Sequence, residues 1–144
     1  MLIKKINLKN IRSYLDESIS LPQGSVMLSG DIGSGKSSIL LALEFALFGL
    51  QRGLVEGSSL LRNGVDSGYV ELEIEIVNKN LKIKRSLKKS KQGITQDEAF
   101  IFQDGKKTEL TVTELKNFIL EILKYPPSLL TKKNLIYRFT VYTP

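Results

Sequence analysis

The chain of 144 residues contains no cysteine and no histidine. Without cysteine there are no disulfides and no thiolate metal sites, and without histidine there is neither a histidine-based catalytic triad nor an imidazole metal ligand. Apolar runs of membrane-spanning length are also lacking, and residues 1–5 do not have the form of a signal peptide. We therefore expect a cytoplasmic protein, nucleoid-associated if prokaryotic, with no membrane partner.

The composition is that of an ordinary globular domain, or part of one, with 42% hydrophobic and 25% charged residues. Lysine and arginine outnumber the acidic residues and give a net charge of +6. Such an excess permits a polyanionic partner such as nucleic acid, but it does not require one.

The most informative stretch is residues 30–38, Gly-Asp-Ile-Gly-Ser-Gly-Lys-Ser-Ser, which match the phosphate-loop pattern G-x-x-x-x-G-K-[ST] at every fixed position. The apolar residues 26–28 before it predict a short buried strand. Residues 38–48 after it lack glycine and proline and are apolar almost all round, which predicts a buried helix. Strand, glycine-rich turn and helix form the context that the motif needs.

The residue types in this loop suit a nucleoside triphosphate with Mg²⁺. Glycines let the backbone approach a ligand closely, and the N–H groups of the loop and the first helical turn face phosphate oxygens. Lys36 is expected to reach the β- and γ-phosphates, which makes it the candidate catalytic residue, and the Ser37 hydroxyl is the candidate metal ligand. The candidate nucleotide-binding residues of the loop are Gly30, Ile32, Gly33, Ser34, Gly35, Lys36, Ser37 and Ser38.

Patterning predicts further strands on both sides of the loop. Residues 2–11 and 15–21 form two predicted strands before it. Residues 69–77 alternate strictly between apolar residues and glutamates, and residues 81–87 return with lysines on the outer face. The acidic and basic rows are expected to face each other across this hairpin.

The remaining signals are a strand at 99–102, a hairpin turn at the Asp-Gly pair 104–105, and a capping box at 111–114. The capping box opens an amphipathic helix at 111–124, and a last apolar segment covers 135–142. The predicted fold class is α/β, a P-loop nucleotide-binding fold. It has a mixed sheet around the buried helix and an antiparallel β-layer from 69 to 110.

A run of basic residues is the candidate nucleic-acid contact. Lys88, Lys89 and Lys91 are predicted to lie in a polar, glycine-containing loop with no acidic residue nearby. They could neutralise phosphates of a DNA backbone. A solvated loop tip is the alternative interpretation.

Residues 6–14, Ile-x-Leu-x-Asn-Ile-Arg-Ser-Tyr, together with the phosphate loop, resemble the N-terminus of SMC-like and RecF-like ATPases of the ABC class. The likeness is greatest to the double-strand-break repair ATPase Rad-fifty, called SbcC in bacteria. The resemblance implies that Arg12 and Ser13 lie against the nucleotide, although a surface arginine in a turn is the alternative. Arg62 and Asn63 are weaker candidates, and Ile32 departs from the family, in which many members have asparagine.

The same resemblance implies that residues 1–144 form the N-terminal half of an ATPase head that binds ATP and Mg²⁺. The implied partners are the C-terminal half of the head, a second head, a nuclease of the Mre-eleven type, and DNA. The chain lacks the acidic strand and the Ser-Gly-Gly signature that hydrolysis requires, because the only near-match, at 100–104, is better explained as a hairpin turn. We therefore expect no turnover by this chain alone.

Other functions remain open at this point. Another SMC-like or RecF-like ATPase would share the same motifs. A small P-loop kinase would need an arginine-rich lid, which is missing, and a GTPase would need an aspartate that residues 78–81 do not supply. A non-catalytic nucleotide-binding module would keep the fold without turnover.

Overall fold

The computed structural model describes residues 1–51 and 55–125. The apolar segment predicted at 135–142 lies outside these residues. The described elements are β1 (Leu2–Ile11), β2 (Tyr14–Ser20), α1 (Lys36–Phe48), α2 (Gly57–Leu60), β3 (Ser67–Ile76), β4 (Lys79–Ser90), β5 (Gly93–Gln103), β6 (Lys106–Glu109) and α3 (Val112–Ile122).

The strands form one six-stranded sheet in the order β2-β1-β3-β4-β5-β6. Every neighbouring pair is antiparallel, including β1 with β3. The two strands before the phosphate loop, β1 and β2, therefore extend the antiparallel layer predicted at 69–110. The α/β class and this layer are confirmed. The parallel part of the predicted mixed sheet is not formed within the described ranges.

One face of the sheet carries the core, because strand alternation places the apolar residues of β3 and β4 on the same side. Helix α1 packs on this face, with Ala42, Phe45, Ala46 and Leu47 completely buried. On the other face the predicted charge rows meet only in part. Lys82 contacts Glu73 at 3.1 Å, whereas the ammonium group of Lys84 lies 4.0 Å from the centre of the Tyr69 ring.

The local signals of the second half are confirmed. Asp104 and Gly105 both have left-handed backbone angles, with φ of 50° and 77°, as a tight hairpin turn between β5 and β6 requires. At the start of α3 the Thr111 hydroxyl accepts from the Glu114 amide at 3.2 Å, and the Glu114 carboxylate accepts from the Thr111 amide at 2.7 Å. The helix therefore begins at its capping box.

The strand predicted at 26–28 is wrong. These residues have no regular structure, and Val26 and Met27 are 44% and 87% exposed. A strand needs neighbouring backbone to satisfy its N–H and C=O groups, and none of the described strands pairs with this stretch. Apolar composition alone is not enough. Helix α1, by contrast, begins at Lys36, two residues before the predicted start, and it ends at Phe48 as predicted.

Candidate nucleotide-binding site

The phosphate loop lies between residue 30 and the first turn of α1. Gly35 is the N-cap of the helix and has a φ of 97°, a conformation that other residues adopt only with strain. Its α-carbon also faces the ring of Tyr14, since a β-carbon at this position would lie 2.7 Å from the tyrosine oxygen. The tyrosine hydroxyl donates to the Gly35 carbonyl at 3.2 Å. Strand β2, which begins at Tyr14, thus holds the start of the helix.

Lys36 lies against its own loop. Its ammonium group donates to the carbonyls of Gly30 and Asp31, the latter at 2.8 Å, and to the Ser34 hydroxyl at 3.2 Å. These acceptors are exposed to solvent, so water can replace the lysine at little cost. The side chain is therefore available to exchange neutral acceptors for charged phosphate oxygens, which bind an ammonium group more strongly.

A cleft of about 450 Å³ brings most of the predicted residues together. Its volume is within the usual range for small-molecule sites. It is lined by Arg12, Ser13, Ile32, Gly33, Ser34, Gly35, Lys36, Ser37 and Ser38. Gly30 lies beside it, in contact with the ammonium group of Lys36.

The tertiary structure carries Arg12 and Ser13 to the loop from a distant part of the sequence. They form the turn between β1 and β2, and Arg12 has a φ of 49°. The Arg12 amide donates to the Leu60 carbonyl at 2.8 Å. The guanidinium group of Arg62 donates to the Arg12 carbonyl at 3.0 Å. Arg62 therefore contacts the backbone of this turn, and neither Arg62 nor Asn63 is among the residues that line the cleft.

The donor chemistry of the cleft fits Mg²⁺ in one respect. The Ser37 hydroxyl lines the cleft beside Lys36, and a hydroxyl is the kind of hard oxygen that Mg²⁺ prefers. Within residues 1–51 and 55–125 there is no group of three or more acidic, histidine or cysteine side chains that could hold a metal. Phosphate oxygens and water would therefore supply much of the coordination shell, as is usual for this ion.

Of the three candidate DNA-binding lysines, Lys91 lies in a turn as predicted, whereas Lys88 and Lys89 lie in a strand. Strand β4 continues to Ser90, and Lys88 and Lys89 pair with Thr95 and Ile94 of β5, so only the turn at 91–92 is free of the ladder. Lys88, Lys89 and Lys91 are all exposed, and no described residue forms an ion pair with them. Because Lys88 and Lys89 are adjacent in a strand, their side chains leave opposite faces of the hairpin.

Sequence reasoning missed Tyr14 as part of this site. The residue belongs to the motif at 6–14, yet nothing in the spacing shows that its ring contacts a glycine 21 positions further on.

None of the described helices has the length and apolarity needed to cross a membrane.

Comparison with known proteins agrees with this geometry. The chain matches the family model described as AAA domain over residues 5–144. It is 35% identical over 137 residues to the DNA double-strand break repair Rad50 ATPase of Methanococcus maripaludis, a match that covers 95% of the chain. The same match covers 13% of that relative, so the chain spans about an eighth of its length.

Two solved structures share the fold. The recombination mediator protein RecF, in its structure with ATP, has a TM-score of 0.61 at 21% identity, over 78% of the chain and 30% of RecF. The SMC head domain from Thermotoga maritima has a TM-score of 0.55 at 23% identity, over 82% of the chain and 42% of the head. The chain therefore has the P-loop fold of the RecF and SMC heads, is related to the Rad50 ATPases, and belongs to the AAA domain family.

Proposed function

We propose that residues 1–144 form the ATP-binding, N-terminal half of the ATPase head of a DNA double-strand-break repair ATPase. The observation that carries the proposal is the cleft in which Arg12 and Ser13, from the turn between β1 and β2, meet the phosphate loop and Lys36. The relationship to the Rad50 ATPases supports the same assignment.

In this proposal each residue of the cleft has a defined task. Backbone N–H groups of the loop and the first turn of α1 bind phosphate oxygens, aided by the helix dipole. Lys36 leaves the carbonyls of Gly30 and Asp31 for the β- and γ-phosphates. Ser37 holds Mg²⁺, which neutralises charge on the phosphates. Arg12 and Ser13 also line the cleft.

Hydrolysis needs further groups, which we assign to other parts of the assembly. The C-terminal half of the head supplies the acidic strand that binds the metal and orients water. A second head closes on the nucleotide, so that ATP favours the paired state through its higher affinity for it. Two exposed apolar side chains, Met27 just before the loop and Ile32 within it, support the presence of a second surface that covers the site. The assembly acts on DNA, in the cytoplasm or nucleoid, with a nuclease of the Mre-eleven type.

The first test of ATP binding is the substitution Lys36→Ala. It removes charge-assisted hydrogen bonds worth about 1.5–3 kcal/mol, so the dissociation constant for ATP should rise by about 10- to 150-fold. Lys106→Ala is the matched control, since it removes the same charge from β6, at the edge of the sheet opposite β2. Calorimetric titration with ATP and Mg²⁺ measures both. Equal affinities for Lys36→Ala and the unaltered chain would rule out the proposed role of Lys36.

A second test concerns turnover. The chain alone should not hydrolyse ATP, whereas co-expression with the C-terminal segment of the parent protein should restore hydrolysis. The mass in solution should double with ATP, most clearly when hydrolysis is blocked. Vigorous hydrolysis by the purified chain alone would contradict this division of labour. ATP binding without turnover in the reconstituted pair would favour a non-catalytic nucleotide-binding module.

DNA binding is tested through the β4–β5 hairpin. Neutralising Lys88, Lys89 and Lys91 together should weaken duplex binding. The logarithmic salt dependence should fall by about two to three units of slope, because each phosphate contact contributes nearly one unit. Since Lys88 and Lys89 leave opposite faces, the two single variants should differ: the lysine that lies nearer the DNA should lower the slope more.

The control for this experiment is a variant with three other lysines neutralised, the exposed Lys106 and Lys124 and the half-buried Lys116, on β6 and α3 or just after it. It has the same net charge as the hairpin variant. If both variants lower the slope equally, the effect comes from overall charge and the hairpin has no special contact with DNA.

A further inference from the structure

An arginine is buried in the core of the protein. Arg85 lies on the inward face of β4, where strand alternation continues from Ile83 to Leu87, and its side chain is completely buried. Nε donates to the carbonyl of Ala46 at 2.9 Å, and one terminal nitrogen, Nη2, donates to the carbonyl of Leu47 at 3.2 Å. Both carbonyls belong to the last turn of α1, where no further helical N–H group is available to them.

The charge of Arg85 suits this position. Burial lowers its pKa to about 9, because the guanidinium group is removed from water. The side chain therefore remains charged at neutral pH. The end of a helix carries a partial negative charge, so the cation interacts favourably with the helix dipole there. Arg85 is thus a side-chain cap for a helix that has no basic residue of its own in the last turn.

The contact between α1 and the sheet is also tight at this end. Gly49, just past the helix, has a φ of 78°. A β-carbon there would lie 2.9 Å from the Gln96 amide oxygen and 3.4 Å from Nη1 of Arg85. Nη1 of Arg85 and both polar atoms of the Gln96 amide are buried without a hydrogen-bond partner among the described residues. The end of the helix therefore lies directly on polar groups of β4 and β5, with no room for a side chain between them.

The other end of the same helix carries the phosphate-binding residues. Helix α1 has 13 residues and is therefore about 20 Å long. Lys36 and Ser37 form its first turn, and Tyr14 holds the Gly35 carbonyl. The helix is thus tied to the sheet by a side chain at each end, and between them it is buried along most of its length.

We propose that Arg85 is a positioning residue for the phosphate loop. Two nitrogens of its rigid guanidinium group donate hydrogen bonds to carbonyls of the last turn of α1. These bonds fix the position of the helix along its own axis. They thereby fix the distance of Lys36 and Ser37 from the turn that carries Arg12. This inference rests on the proposed ATP binding and adds to it a residue at the opposite end of the helix from the ligand.

The test compares Arg85→Lys with Leu87→Ala, a control that should affect only the stability of the fold. Lysine keeps the charge and much of the length, but it lacks the planar fork that holds two carbonyls at once. We expect the dissociation constant for ATP to rise about tenfold, because displaced binding groups lose affinity steeply with distance. Leu87 lies in the same strand and is equally buried. Leu87→Ala should lower the free energy of unfolding more than Arg85→Lys does, yet it should bind ATP as tightly as the unaltered chain. Titrations are made at a temperature where urea curves show each variant to be folded.

A second variant, Arg85→Met, is needed because the lysine of Arg85→Lys could itself donate to the carbonyls of Ala46 and Leu47. Arg85→Met removes every donor, so hydrogen exchange should accelerate in the amides of the first turn of α1, near Lys36, as well as in the last turn. In Leu87→Ala exchange at the first turn should remain unchanged.

Two results would overturn the inference. One is an ATP affinity that follows stability alone across the three variants. The other is faster exchange confined to the last turn, because Arg85 would then be only a local cap. If the unaltered chain does not bind ATP, the proposed function fails and this inference fails with it. If it binds ATP normally and only the Arg85 comparison fails, the proposed function stands.

Discussion

Replacing Gly35 by alanine perturbs the phosphate loop in two separable ways. The backbone of Gly35 has a φ of 97°, and a residue with a β-carbon pays about 1–2 kcal/mol in such a left-handed conformation. The new β-carbon would also lie 2.7 Å from the Tyr14 oxygen and 3.0 Å from the ring carbon that bears it. The ring must move, which breaks the hydrogen bond to the Gly35 carbonyl, worth about 0.5–1.5 kcal/mol.

We therefore expect Gly35→Ala to lower the free energy of unfolding by about 1.5–3.5 kcal/mol. Gly33→Ala is the matched control. Gly33 has a similar φ of 84°, but no atom lies within 4 Å of the position that a β-carbon would take. It should pay only the backbone cost, about 1–2 kcal/mol. Urea denaturation of both variants measures the difference, which isolates the contact with Tyr14.

The contact is confirmed or refuted by a double-mutant cycle. In a Tyr14→Ala background the ring is gone, so Gly35→Ala should cost no more than Gly33→Ala does. If Gly35→Ala costs the same in both backgrounds, the tyrosine does not support the loop, and the view that β2 holds the start of α1 is wrong.

Three further predictions concern stability. A hydrogen bond from the Thr111 amide lowers the pKa of Glu114. The capping box should therefore stabilise α3 at pH values above the usual pKa of glutamate, and this stabilisation should be lost as the pH falls through the lowered pKa. Urea curves taken across acidic pH should show this dependence in the unaltered chain and not in Glu114→Gln. A hydrogen bond with Glu73 raises the pKa of Lys82, but the lysine side chain is 39% exposed, so Lys82→Met should cost about 0.5 kcal/mol at most, less at high salt. Phe45→Ala should cost about 3–5 kcal/mol in thermal or urea unfolding because the ring is completely buried in the core.

Several elements follow from short stretches of sequence alone. The alternation of residues 69–77, the capping box at 111–114 and the Asp-Gly turn at 104–105 each specify backbone geometry through neighbours only a few positions away. The phosphate-loop pattern belongs to the same class, because its glycines, lysine and serine all lie within residues 30–38. These predictions agree with the structure.

The failures have a common physical reason. Residues 26–28 are apolar, yet a strand forms only beside another strand, and pairing is a property of the whole sheet. The polar, basic run at 88–91 favours exposure and so predicts a loop, although partners in β5 keep two of its lysines in the ladder. Alternation along β4 does place Arg85 inward, which was a usable signal, but it does not say what the arginine would contact.

The sequence by itself determined that this protein has a glycine-rich loop of the phosphate-loop pattern at the start of a buried helix. Only the tertiary structure decided what surrounds that helix. Arg62 reaches the carbonyl of Arg12 from 50 positions away, and Arg85 reaches that of Ala46 from 39 positions away. Such contacts depend on strand order and register, which bring β1 beside β3 and β4 beneath α1. No local periodicity encodes them, because they arise when the whole sheet closes over its core.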